Sequence, residues 1–141
     1  MMSLSLSKIR WGWAILGLGL AVGVFIVVQL ALNVGYGLVI GFQMRQAPPQ
    51  EVLMAAFASL PFILLRAGEA GLGAYVGGRL AASKSEANPQ SAGLLVGIGV
   101  AIVIVVLSAI QGVLDVWVAL YCVLALAGGW LSGKLVARKS R

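Results

Sequence analysis

Arg66 and Glu69 are where chemistry in this chain would have to start, because they alone interrupt the apolar stretch between Glu51 and Arg79. Three residues apart on a helix, they lie close to one face and can pair with each other. Ionisable groups inside an apolar span are functional candidates by default. Glu69 could cycle between charged and neutral forms as a proton or cation passes; alternatively, the pair could anchor a bundle or line a small wet cavity. Gln29 and Asn33, one span earlier, are the polar groups placed to satisfy them. Little other chemistry is available. The chain has no histidine, and so lacks the commonest general base and metal-binding imidazole. Its one cysteine, Cys122, lies in an apolar run, which argues against a disulfide framework or a thiolate metal site. Gly71-x-Gly73 sits inside a span, without the strand–turn–helix setting of a nucleotide loop. With no nucleophile–base set in view, the expectation is a protein that is not an enzyme and takes no cofactor or metal.

The elements that position these residues must be membrane helices. Apolar residues make up 61% of the chain and charged residues 10%, against a usual charged share of about 25%. Too few charges are present to clothe a water-soluble domain, so lipid is the solvent. A span needs about 20 apolar residues at 1.5 Å each. Four stretches qualify, at about 11–40, 52–82, 91–111 and 115–137, within a single transmembrane domain covering 1–141. They are too continuous for the alternating pattern of a membrane barrel. Ala47-Pro48-Pro49-Gln50, Asn88-Pro89 and Gln111-Gly112 break the helices between them. Asp115 stands near the start of the fourth, where a carboxylate suits the positive helix end.

Basic residues set the orientation. Lys8 and Arg10 precede the first span, Arg79 and Lys84 follow the second, and Lys134, Arg138, Lys139 and Arg141 end the fourth. Four crossings place these groups on one side, so both termini are expected in the cytoplasm. The apolar segment after Arg10 is far longer than a signal-peptide core, which makes it an uncleaved span. Trp11, Trp13, Trp117 and Trp130 lie toward span ends as interfacial anchors. Arg138, Lys139 and Arg141 are placed to meet anionic lipid headgroups of the bilayer, and no nucleic acid is expected as a partner.

The chain also carries signs of duplication. Sliding span two onto span four by 55 positions puts Gly78-Arg79-Leu80 on Gly133-Lys134-Leu135, and Lys84-Ser85 on Lys139-Ser140. Ala70, Ala74, Gly78 and Ala82 then fall on Ala125, Gly129, Gly133 and Ala137. At an offset of 78, Gly19 meets Gly97 and Asn33 meets Gln111. Two parallel hairpins related by a pseudo-twofold axis along the membrane normal are expected. The small residues Gly19, Gly23, Ala74, Gly78, Gly93, Gly97, Gly129 and Gly133 are candidate helix-packing positions, since lipid gives helices no hydrophobic reason to associate and close approach must do so.

The two offsets differ by an insertion over roughly 36–60, so the first hairpin should extend on the outer side, by about 16 Å if helical. The extension is apolar, with Leu38, Val39, Phe42, Val52, Met54 and Phe57 in it. Its faces must pack on each other, lie in the lipid interface or meet a partner. By the same alignment Arg66 falls at the level of Tyr121 and Glu69 at that of Leu124, about 9 and 13 Å below the outer face.

Gly77-Gly78-Arg79-Leu80-Ala81-Ala82, the polar loop to Asn88-Pro89, and Gly93-Leu94-Leu95-Val96-Gly97 resemble small bacterial four-span membrane proteins with glycine-rich, basic-ended hairpins. Phe42-Gln43-Met44-Arg45-Gln46-Ala47-Pro48 is similar to a loop in some of them. The resemblance implies a multi-pass protein of the bacterial cytoplasmic membrane and no activity. The small multidrug transporters share the size and span count, but their essential glutamate lies in the first span, where this chain has no acid. Two functions are therefore expected from an all-α four-transmembrane-helix bundle. One is an accessory or packing subunit of a larger or homo-oligomeric membrane assembly. The other is a small transporter or channel using Arg66 and Glu69.

Overall fold

The computed structural model describes residues 10–85 and 87–139; Lys8, Ser140 and Arg141 lie outside them. Five helices follow in order: α1 Trp11–Met44, α2 Gln50–Phe57, α3 Leu60–Ser83, α4 Pro89–Ile110 and α5 Val116–Lys139. No strand occurs among the described residues. Helices α1, α4 and α5 are each long and apolar enough to cross a membrane, and α2 with α3 makes a fourth candidate if the pair is one bent span.

Local chemistry explains most boundaries. α1 runs for 34 residues, about 51 Å against a hydrocarbon core of about 30 Å. It ends where Arg45 turns left-handed at φ 54° and its N–H bonds to the Phe42 carbonyl. The two prolines that follow, Pro48 and Pro49, cannot continue a helix. The stretch 52–82 is not one helix: α2 stops at Phe57, and its axis is bent by 60° from that of α3. Pro61 supplies the reason, because its ring lacks the N–H that would bond to the Phe57 carbonyl, whereas in the first turn of α3 that loss costs nothing. Pro89 opens α4 in the same way. α4 ends at Gln111 and the left-handed Gly112, φ 69°. Asp115 caps α5, its Oδ1 accepting from the N–H groups of Trp117 at 3.0 Å and Val118 at 3.3 Å.

The bundle is small inside and large outside. Ala21, Ala70, Ala74, Ala81, Ala92 and Ala125 are buried, while Ile15, Val27, Leu30, Ile102, Val106 and Val123 face outward. Water would demand the reverse, whereas lipid permits it and rewards close backbone approach. α3 is the central helix, packed on α1, α4 and α5, and α4 packs on α5. α1 and α3 run antiparallel through Gly17 against Gly77 and Ala21 against Gly73. α4 and α5 do the same through Gly93 against Gly129 and Gly133, and Gly97 against Ala125 and Gly129. α3 and α5 run parallel: Gly71 meets Leu124 and Gly128, and Gly78 meets Gly129 and Ser132. Those pairs straddle the 55-position offset of the sequence alignment. A strict twofold axis would also pair the α3–α4 seam with one between α1 and α5, which is not formed.

Candidate functional site

Glu69 is buried to 3% exposure, and neither of its carboxylate oxygens has a hydrogen-bond partner. The turns that follow it on α3, at Gly73 and Gly77, press on Ala21 and Gly17, so residue 69, four before Gly73, lies on the side of α3 turned to α1. The Arg66–Glu69 hydrogen bond that the sequence allows is absent, and neither Gln29 nor Asn33 bonds to Glu69.

Arg66 turns elsewhere. It lines a cavity of about 140 Å³ among α1, α3, α4 and α5, at the end of the bundle opposite Arg79 and Lys84. Gln29 of α1, Ser108 of α4, Tyr121 of α5, and Gln111 and Asp115 from the turn between α4 and α5 share its wall. Apolar side chains Phe25, Ile104, Leu107 and Val118 complete it. Tyr121 is within electrostatic reach of Arg66, Asp115 and Glu69 alike. The site therefore gathers one cation, one anion, two amides and two hydroxyls from four helices and the turn between α4 and α5. Among the described residues, only Asp115 of these six makes a side-chain hydrogen bond, the cap of α5.

Of the residues picked out by sequence, Arg66 and Gln29 come together here, Glu69 is close by in the packing, and Asn33 is half-buried on α1 away from the cavity. Ser108, Gln111, Asp115 and Tyr121 were not foreseen as their partners. A signal for two of them existed, since the repeat alignment sets Tyr121 level with Arg66 and Gln111 on Asn33.

Six of the eight small packing positions, Ala74, Gly78, Gly93, Gly97, Gly129 and Gly133, are buried in the bundle. Gly19 and Gly23 are not: a Cβ added to either would meet nothing within 4 Å. α1 uses Gly17 and Ala21 instead, two positions earlier along each turn, because that stripe and not Gly19-x-x-x-Gly23 faces α3. The same four-residue spacing of small residues, Gly17 to Ala21 and Gly73 to Gly77, could have found it.

At the opposite end, Lys84 places its Nζ 5.3 Å from the Trp13 ring, and Lys134 its Nζ 4.4 Å from that of Trp130, within cation–π range. Arg138 and Lys139 are exposed beside them in the last turn of α5. The outer extension is partly self-packed. Tyr36 and Phe57 both stack on Phe62, at 5.3 and 4.9 Å between centroids, and Leu53 reaches Gly37. Leu38, Val39, Phe42, Val52 and Met54 remain exposed. No group of three metal-ligating side chains exists among the described residues. Comparison of the chain with protein-family models, with curated proteins and with solved structures finds no match.

Proposed function

We propose that this is a non-enzymatic, multi-pass protein of a bacterial cytoplasmic membrane that serves as an accessory subunit of a larger or homo-oligomeric assembly. The observation that carries the reading is the outer extension. α1 is about 20 Å longer than a hydrocarbon core, and the part of it beyond Tyr36 keeps Leu38, Val39 and Phe42 exposed, Phe42 to 80%. Apolar side chains held at that distance from the bundle gain stability by being covered. The reading includes four crossings with both termini cytoplasmic, which is supported by Arg10, Arg79, Lys84 and Lys134 belonging to helix ends that meet at the end of the bundle remote from the cavity. Native mass spectrometry after gentle extraction tests the assembly. A stoichiometric complex is expected, lost when Phe42→Asn is combined with Met54→Asn in a chain that still folds. A monomer carrying only lipid, with or without those changes, would overturn the reading.

A second reading, a small transporter or channel, is favoured by one separate observation: an unpartnered carboxylate, Glu69, buried one turn along α3 from the cavity-lining Arg66. Reconstituted into liposomes, Glu69→Gln should remain folded and lose ion or solute flux. Equal flux in wild type and variant would remove this alternative.

A further inference from the structure

We infer that the outer cavity is a binding site for a small zwitterion of the α-amino-acid type, its carboxylate held by Arg66 and its ammonium group by Asp115. The inference is independent of the assembly proposed above; it needs only that the outer end of the bundle meets water.

Charge balance is the first argument. The cavity holds one guanidinium and one carboxylate on its wall, and no ion pair joins them among the described residues; Glu69, behind the wall, is within electrostatic reach of Arg66. A simple anion there would satisfy Arg66 but face Asp115, and a simple cation would do the converse. A solute carrying both charges meets each with its opposite. The guanidinium fork suits a carboxylate, which it can bind through two parallel N–H groups. Asp115 commits Oδ1 to capping α5, which fixes the side chain in place and leaves the other oxygen to accept.

Size is the second. The cavity of about 140 Å³ suits a small solute. Gln29, Ser108, Gln111 and Tyr121 bring donors and acceptors that make no hydrogen bond to other described residues, enough to satisfy the lone pairs and N–H groups that the two charges leave over.

Equilibrium binding of radiolabelled glycine to the full chain in lipid nanodiscs tests this. Saturable binding is expected, with acetate and methylamine competing at least about ten-fold more weakly than unlabelled glycine or alanine. Arg66→Gln should weaken binding by about ten-fold or more. Because that variant could also disturb the bundle, Asp115→Asn decides: asparagine still caps α5 but lacks the charge, and should weaken glycine while letting acetate, no longer facing a carboxylate, compete better. The absence of saturable binding by folded protein at about 10 mM glycine would overturn the proposal. So would acetate competing as well as glycine, or Asp115→Asn binding glycine like the wild type.

Discussion

Gly77 lies so close against Gly17 that a methyl group built on Gly17 would stand 2.6 Å from the Gly77 carbonyl oxygen, and one built on Gly77 would overlap the Gly17 carbonyl. No side chain other than hydrogen fits at either position without parting α1 from α3. That contact and the Ala21–Gly73 contact bring the two backbones together, so α1 is held to α3 there by backbone proximity.

Gly77→Ala should therefore destabilise the folded protein by about 1–3 kcal/mol, the usual cost of overpacking a close-fitted site, and Gly77→Leu by more. Gly19→Ala, where a Cβ meets only open space, should change stability by less than about 0.5 kcal/mol. Thermal unfolding of the detergent-solubilised variants measures both. Equal losses at the two positions would show that α1 packs through a different face.

Replacing Glu69 by glutamine removes no hydrogen bond, since neither oxygen has a partner, and it deletes a charge from the interior. The midpoint of thermal unfolding is expected to stay the same or rise. Glu69→Lys places a longer, obligately solvated group in the same close-packed position and should cost several kcal/mol, read as loss of folded protein on extraction. A large drop for Glu69→Gln would mean that the carboxylate is bonded in the folded state.

Asp115→Ala strips the cap from α5 and should cost about 1 kcal/mol, while Asp115→Asn should cost a fraction of that. Chemical denaturation monitored by circular dichroism separates the two. Similar losses would show that the charge, through the helix dipole, matters more than the two N–H bonds.

Single cysteines introduced at Gln46 and Arg138 in a Cys122→Ala background test the orientation. An impermeant maleimide added to intact cells should label position 46, and position 138 only after permeabilisation. The opposite pattern would invert the topology.

The fold was legible where the signal is a run or a break. Unbroken apolar stretches marked α1, α4 and α5, and Pro48-Pro49, Asn88-Pro89 and Gln111-Gly112 marked their ends. The break before Leu60 was missed although Pro61 announces it, because the stretch around it stays apolar and reads as one span. The stripe of α1 that meets α3 was not picked out, for a different reason. Gly19-x-x-x-Gly23 and Gly17-x-x-x-Ala21 have equal spacing, and only the rotation of α1 about its axis decides which meets α3. The cavity was harder still. Arg66 stood out as a charge in an apolar run, but Ser108, Gln111 and Tyr121 are unexceptional where they stand in sequence, and only the packing of four helices brings them to one cavity wall. Pairing of Arg66 with Glu69 was reasonable from spacing alone; no hydrogen bond joins them, because Arg66 opens into the cavity, but the guanidinium charge still acts on the carboxylate.

The glycine seams at the basic end and the polar cavity at the outer end divide the chain into parts with unequal freedom to change. At Gly77, Gly93 or Gly129 an added carbon collides with a neighbouring backbone, so mutation there is punished before selection can explore it. Around the cavity, Gln29, Ser108 and Gln111 hold up no other described residue through a side-chain bond. A lineage carrying this fold can vary what the outer end holds while the framework beneath it stands still.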